Sequence, residues 1–248
     1  MSLPDIGPLR YLIGEIVNAR REAGQELPRD EQITAEFGVS RAAAREVLRN
    51  LEKRGLVRIA YAGRAVVASP SEWNTLDPDV FEALLASAWG QDALVQHVEC
   101  RAIWEVGSAG LAAARASEAE VGALGDAYAT MLETARWAAR DSRAEPHYQD
   151  ADIAFHRAVS TASGNPVLSE KLSAIHRVSA IAIRPLARPE FRLERGLSEH
   201  QRIRDAISAH DPAEARAAMR DHFTTITEYA RTYGPRPPNG APPNVPDH

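Results

Sequence analysis

Apolar side chains recur every three or four positions in three short segments of the first 70 residues, which predicts amphipathic helices. The three apolar stripes are Leu9, Leu12, Ile13, Ile16 and Val17, then Ile33 and Phe37, then Ala44, Val47, Leu48 and Leu51. A glycine follows each segment, as is usual at helix ends, and Ser40 is a good N-cap for the third helix.

The stretch LVRIAYAGRAVVA comes next, and its β-branched residues around Gly63 predict a short hairpin. Two helices, a tight turn at FGVSR, a third helix and a hairpin are the plan of a winged helix-turn-helix. In that fold the third helix enters the major groove of DNA.

From residue 78 to residue 233 the chain is rich in alanine and helical in pattern. Ser117 with Glu120 and Ser198 with Gln201 form capping boxes, and Asp211 precedes a first-turn proline. We count about six or seven helices, which predicts an all-α bundle. The fold class is therefore mostly α. We expect a winged helix-turn-helix domain at 1–70, a linker at 71–77, a helical effector-binding domain at 78–233, and a disordered, proline-rich tail at 234–248.

Composition narrows the class of protein. The 248 residues contain one cysteine, Cys100, so an internal disulfide is impossible. The chain lacks both an apolar run long enough to span a membrane and the pattern of a signal peptide. We therefore expect a cytoplasmic protein.

Charge is unevenly distributed. Residues 1–70 contain 11 Lys/Arg and 9 Asp/Glu, whereas the remainder contains 18 and 25. Four cations of the third helix, Arg41, Arg45, Arg49 and Lys53, stand four residues apart, on a face separate from the apolar stripe. Each like-charge contact costs an isolated helix about 0.2–0.5 kcal/mol. A solvated basic face would explain the pattern, with Glu46 and Glu52 softening the repulsion. Together with the turn and the hairpin, however, it favours binding to DNA phosphates.

Three helices of the second domain direct imidazole groups toward the bundle interior. Asp152 and His156 lie one turn apart beside apolar residues, and His200 and His222 lie on the apolar stripes of two later helices. A buried aspartate is costly unless it is paired, and a divalent ion would satisfy all four side chains. The set suits zinc, with nickel or manganese as other candidates. Hydrogen-bonded core histidines are the alternative. The other five histidines are expected at the surface or as local caps.

Arg101 and Glu105 share an inward stripe of their helix. An inward arginine is unusual unless it meets a carboxylate. The pair either satisfies itself at i,i+4 spacing, or Arg101 receives an acidic ligand held near the metal.

Several segments resemble a known family. LPRDEQITAEFGVSRAAAREVLRNLEKRGLV resembles the DNA-binding module of GntR family transcription regulators. ECRAIWE, DIAFHRAVSTASGNPVL and EHQRIRDAISAHDPAEARAAMRDHF resemble the FCD effector domain of its FadR-type branch.

The resemblance implies a repressor that acts as a homodimer on a DNA operator and responds to a small organic acid. It implies metal ligation by Asp152, His156, His200 and His222, and effector contacts by Arg101 and Asn165. It implies DNA contacts by Ser40, Arg41, Ala43 and Arg45; Arg49 belongs to the same cationic face, and Arg64 would reach the minor groove from the wing. WNTLDPDV resembles the linker of members that respond to sugar acids.

Two positions depart from the family pattern. Members often carry an arginine or lysine near Glu31, and their wing has a Gly-rich run where this chain reads YAGRAVV. Two other functions stay open at this point. A metal-dependent enzyme acting on small carboxylic acids would need a general base, for which Glu105 is the candidate. A helical protein-interaction module would bind neither metal nor DNA.

Overall fold

The computed structural model describes residues 7–60, 64–182 and 189–235, in two compact units that meet in sequence at Gly90 and Gln91. This part of the chain contains ten α-helices and one two-stranded antiparallel sheet, so the mostly α prediction is confirmed. None of its helices is long and apolar enough to cross a membrane. The predicted turn at Gly63 and nearly all of the predicted disordered tail fall outside the described residues.

The first unit has the predicted order of helices and strands. Its elements are α1 (Pro8–Val17), α2 (Asp30–Phe37), α3 (Arg41–Lys53), β1 (Val57–Ile59), β2 (Ala65–Val67) and α4 (Pro78–Leu85). The three predicted apolar stripes are largely buried, and Leu12, Ile33 and Leu51 are almost completely inaccessible. Gly38 ends α2 in the left-handed conformation, and Ser40 caps α3 by accepting the Ala43 N–H at 3.2 Å.

The hairpin pairs Val57 with Val67 and Ile59 with Ala65. A third extended segment, which the sequence pattern did not predict, lies beside β2. The Leu27 N–H donates to the Ala65 carbonyl at 2.8 Å, and the Val67 N–H donates to the Gln25 carbonyl at 2.9 Å. The chain before α2 therefore anchors the wing to the helices.

The compact first unit continues past the predicted linker at 71–77. Arg54, at the end of α3, donates hydrogen bonds to Asp77 at 3.0 Å and to Asp79 at 2.7 Å, and Glu82 forms an ion pair with Arg10 of α1. Residues 71–77 and α4 therefore fold with the first unit, which ends at Gly90 rather than near residue 70. Ion pairs between residues so far apart in sequence leave no local signal.

The second unit is an all-α bundle, as predicted. Its helices are α5 (Gly90–Arg115), α6 (Glu118–Ala138), α7 (Glu145–Ala162), α8 (Pro166–Ala182), α9 (Pro189–Ser208) and α10 (Pro212–Tyr233). Ser117 and Asp211 cap α6 and α10 as expected. The helix start predicted at Ser198 is wrong, because α9 begins at Pro189 and runs through that residue.

Candidate metal and effector site and DNA-binding face

Three imidazoles converge in the core of the second unit. His156 of α7, His200 of α9 and His222 of α10 are buried, and one nitrogen from each lies within 4.8 Å of the other two. The Nε2 atoms of His156 and His200 are 3.3 Å apart. The structure thus brings together the three histidines that the sequence selected.

The outer nitrogen of each ring meets an oxygen acceptor. Nδ1 of His222 lies 2.9 Å from Glu199 Oε2, Nδ1 of His200 lies 2.6 Å from the Gly196 carbonyl, and Nδ1 of His156 forms an ion-pair contact with Glu105. A carbonyl or carboxylate oxygen only accepts, so each Nδ1 carries the proton. Nε2 of His156 and Nε2 of His222 then present a lone pair toward the cluster, as in metal-binding histidines, whereas Nε2 of His200 faces the Asp152 carboxylate as well as Nε2 of His156.

Asp152 lies at the edge of this cluster. Its Oδ1 is 3.2 Å from Nε2 of His200, although it falls outside the group of three that could share one ion. Burial raises the pKa of Asp152, but His200 and other nearby positive groups outweigh burial and hold that pKa well below its usual range. An anionic carboxylate beside three imidazole nitrogens is a suitable fourth donor to zinc, through oxygen.

Two of the three imidazoles, those of His156 and His222, are poised as neutral ligands. Burial lowers the pKa of His222 to about 4, with a further contribution from His200, and burial also lowers the pKa of His156. Neutral imidazole is the form that binds a metal. Nε2 of His222 is buried with no hydrogen-bond partner among the described residues. An orphaned nitrogen facing two others fits an absent cation better than a self-satisfied core.

Arg101 and Glu105 of α5 form a buried ion pair behind the histidines, with Nε of Arg101 2.8 Å from Glu105 Oε1. Glu105 also contacts His156 and lies 3.2 Å from Nε2 of His176. Burial raises the pKa of Glu105, but Arg101 and the two histidines hold it well below its usual range. Glu105 is therefore a poor general base, since its proton affinity is low and its oxygens are engaged.

A cavity of about 60 Å³ opens beside this cluster. Its polar wall includes Arg101, Asp152, His200 and His222, and its apolar wall includes Leu94, Val98, Ala182 and Ile226. Nη2 of Arg101 is buried without a hydrogen-bond partner in the described part of the chain. The structure confirms the internal pair at i,i+4 spacing, which Arg101 makes through Nε, whereas an acidic ligand on Nη2 stays a prediction.

Some histidines and Asn165 lie elsewhere than expected. The prediction of a surface position was wrong for His97 and His176, which are buried; Nε2 of His97 lies 3.1 Å from Ser179 Oγ. Asn165 is not among the described residues that line the cavity, and its Oδ1 instead accepts the Leu168 N–H at 3.2 Å, at the start of α8. His248 lies outside the described residues.

The exposed face of α3 carries the residues expected to contact DNA. Ser40, Arg41, Ala43, Arg45 and Arg49 are all exposed, while the apolar stripe faces the core. The predicted softening of charge by Glu46 is borne out, because it binds Arg49 at 2.6 Å, whereas Glu52 accepts the Ile59 N–H at 3.2 Å. Arg64 stands exposed at the start of β2.

Comparison with known proteins identifies both units. The model of "Bacterial regulatory proteins, gntR family" matches residues 10–67, and the model of the "FCD domain" matches residues 96–225, which is more than half of the chain. The chain belongs to the GntR family. A GntR family protein with an FCD domain is a DNA-binding transcription regulator, so the predicted family and the predicted role in transcription are confirmed and the metalloenzyme alternative is set aside. The acid effector and the metal stay predictions.

Curated GntR relatives match along most of the chain. The galactonate operon transcriptional repressor of Escherichia coli K12 is 29% identical and covers 82% of this chain and 86% of its own length. The regulator LutR of Bacillus subtilis is 29% identical and covers 88% of this chain and 97% of its own length. The repressor NanR of E. coli K12 is 30% identical and covers 87% of this chain and 80% of its own length.

Solved structures support the fold. Lar of Listeria monocytogenes, described as controlling expression of the agr system, aligns with a TM-score of 0.62 at 19% identity, covering 93% of this chain and 97% of that one. E. coli McbR/YncC aligns with a TM-score of 0.50 at 15% identity, covering 92% of this chain and 99% of that one.

Proposed function

We propose that this regulator is a cytoplasmic, homodimeric repressor that binds operator DNA through α3 and the wing and binds a small organic acid beside a divalent metal in the second unit. The observation that carries the ligand half is the convergence of one ring nitrogen from each of three buried histidines, at a cavity that Arg101 also lines and where Nη2 of Arg101 has no partner among the described residues. The DNA half rests on family membership and on the exposed cationic face of α3.

The proposed DNA contacts divide by position. Ser40, Arg41, Ala43 and Arg45 lie in the first half of α3, the part of a reader helix that meets base edges in the major groove. Arg49 is farther along the helix and is placed to meet a phosphate, and Arg64 of the wing would enter the minor groove. In a homodimer, two copies of α3 would meet half-sites about one helical turn of DNA apart.

An arginine substitution on α3 tests the DNA half. Arg45→Ala should weaken binding to a duplex selected from a random library by the wild-type protein, by about 10- to 100-fold for the loss of a base-edge contact. Arg20→Ala removes an equally exposed arginine after α1 and should leave affinity unchanged. Undiminished, salt-sensitive binding by Arg45→Ala would contradict the assignment of α3 as reader.

Asp152, His156, His200 and His222 are the residues that would hold the metal. Three neutral imidazoles and a carboxylate favour zinc, with nickel and manganese as alternatives. Bound there, the ion would supply a positive centre with open coordination positions for a carboxylate oxygen. Metal analysis after chelation and refilling with zinc should find one ion per chain. His200→Ala should lose that ion, whereas a change at exposed His147 should retain it; absence of zinc from the refilled wild type would exclude the metal.

The cavity indicates the size of the effector. The cavity admits the centre of a water-sized sphere over only about 60 Å³, so the space for a bound ligand is narrow. A compact acid of three or four carbons fits this space better than a six-carbon sugar acid, although the segment at 73–80 resembles the linker of family members that respond to sugar acids. Arg101 would orient the carboxylate through Nη2, and the apolar wall would accept the carbon chain.

A matched ligand series tests this half. Thermal unfolding of the zinc-loaded protein is measured with acetate, lactate, malate, gluconate and galactonate. A ligand at 100 times its Kd adds about 2.7 kcal/mol of stability, and we expect the shift with lactate and malate, the acids of three and four carbons. Arg101→Lys should reduce that shift relative to its own unliganded protein. No shift with any acid would contradict the effector assignment, and a shift with sugar acids alone would reverse the size argument.

Effector binding should weaken operator binding. A coupling free energy of about 1–3 kcal/mol changes affinity roughly 5- to 150-fold. Operator affinity measured with and without the acid gives this factor directly. An acid that stabilises the protein but tightens operator binding would indicate an activator or a corepressed regulator instead.

A further inference from the structure

Each arginine of the proposed DNA-contacting set is paired with a carboxylate of the same unit. The pairs are Arg41 with Glu31, Arg45 with Asp30, Arg49 with Glu46, and Arg64 with Glu26. The repulsion expected along the α3 ridge is thus already relieved before any phosphate arrives. DNA has to compete with four internal anions for the same guanidinium groups.

The three pairs that involve arginines of α3 differ in what else the carboxylate does. Asp30 is partly exposed, and it accepts the Glu31 N–H as well as a hydrogen bond from Arg45, so it has a part in forming the turn into α2. Glu46 pairs within α3 itself and also binds Asn50. Glu31 is about two-thirds exposed, reaches from α2 across to α3, and makes no hydrogen bond through its carboxylate among the described residues except to Arg41.

The Arg41–Glu31 pair has little value for stability. Arg41 is also more than half exposed, and an ion pair of this kind changes the folding equilibrium by less than about fivefold. A carboxylate on a surface that approaches polyanionic DNA is unfavourable for affinity, so neither folding nor simple attraction to DNA accounts for it. Its one direct effect is on which acceptor Arg41 can bind.

We propose that Glu31 is a specificity-determining residue that retains Arg41 in non-specific complexes and releases it only at the operator. The inference rests on the proposed placement of Arg41 against DNA. When Arg41 exchanges the Glu31 carboxylate for a DNA phosphate, one exposed ion pair replaces another, and the net gain in binding free energy is small. Two hydrogen bonds to a guanine edge favour the correct base roughly 5- to 150-fold over a wrong one, which is enough to displace Glu31.

The salt dependence of binding tests this inference in the full-length protein. Two 24-bp duplexes serve as probes: one selected from a random library by the wild type, and one of unrelated, non-palindromic sequence. The slope of log K against log salt changes by about 0.9 for each phosphate neutralised. Glu31→Gln should steepen the slope on the unrelated duplex by about that amount. One such contact corresponds to about eightfold tighter binding at 0.1 M salt if it contributes nothing at 1 M.

The selected duplex should respond differently to Glu31→Gln. Because Arg41 is already released there, the slope should stay unchanged, and affinity should rise by less than about fivefold, the value of one exposed ion pair. Glu36→Gln removes the same charge from another exposed position of α2 and should change neither slope. An unchanged slope on the unrelated duplex, equal steepening on both duplexes, or the same effect from Glu36→Gln would overturn the inference.

Arg41→Ala separates this inference from the proposed function. Loss of affinity for the selected duplex in Arg41→Ala, together with no effect of Glu31→Gln, overturns the role of Glu31 and leaves the reader helix in place. Wild-type affinity in Arg41→Ala overturns the proposed contact and the role of Glu31 together.

Discussion

Glu105 is the residue on which the interior of the second unit depends most. One buried carboxylate contacts Arg101, His156 and His176, which come from three different helices. It thereby fixes the proton of His156 on Nδ1 and presents Nε2 to the proposed metal. At the same time it compensates the charge of Arg101, which leaves Nη2 for an anionic ligand.

The first prediction concerns this carboxylate. Glu105→Gln keeps the shape of the side chain but removes the charge that orients His156, so zinc affinity should fall about 10- to 100-fold, as for other outer-shell partners of metal-bound histidine. Competition with a fluorescent zinc chelator measures the change. Glu99→Gln, on the exposed side of the same helix, should bind zinc like the wild type. Equal affinity in both variants would remove Glu105 from the site.

At the scale of elements, the position of the reader helix depends on the chain segments around it. Asp30 and Glu31 connect the start of α2 to α3, and Arg54 connects the end of α3 to the segment before α4. Gly55 permits this last connection. Its φ of +70° is left-handed, and a Cβ there would collide with the backbone carbonyl of Glu72.

The second prediction follows from this turn. Gly55→Ala should destabilise the first unit by at least about 1–2 kcal/mol, the cost of left-handed backbone for an L-residue, with the collision in addition. Gly14→Ala, at an open position inside α1, should instead stabilise it by roughly 0.5–1 kcal/mol. Hydrogen exchange of α3 amides, resolved by mass spectrometry, reports both changes. Equal protection in the two variants would contradict the geometry of the turn.

In the molecule as a whole, the two units are held together by different kinds of interaction. The first is held by apolar stripes and surface ion pairs, whereas the second buries five histidines, an arginine and a glutamate in its core. Buried polar groups without partners are costly, and here several of them face one another. A cation would therefore contribute to the stability of the second unit alone.

The third prediction concerns removal of this metal. Chelation should lower the unfolding temperature of the second unit, since a site occupied at 1,000 times its Kd contributes about 4.1 kcal/mol. The first unit should unfold unchanged. Calorimetry with and without chelator, and with zinc restored, separates the two transitions. If chelation moves both transitions, or neither of them, the metal is not a component of the second unit's core.

Local patterns in the sequence were enough to predict the helices of the first unit, the hairpin, the all-α second unit and the inward direction of His156, His200 and His222. A buried helix face shows in the sequence as apolar residues three or four positions apart, so these features can be predicted from neighbouring residues alone. The third extended segment of the wing, the attachment of α4 to the first unit and the continuous α9 were not foreseen. Each of these is decided by partners distant in the chain.

Only the tertiary structure decided which side chains meet. The sequence offered Arg101–Glu105 as a pair at i,i+4, but it could not reveal that His176 from α8 and His156 from α7 reach the same carboxylate. It selected the cations of α3, but not the acids that bind them, because Glu31 and Arg41 lie on separate helices. A helix pattern records which face is buried; the partner on that face depends on how the helices are arranged around it.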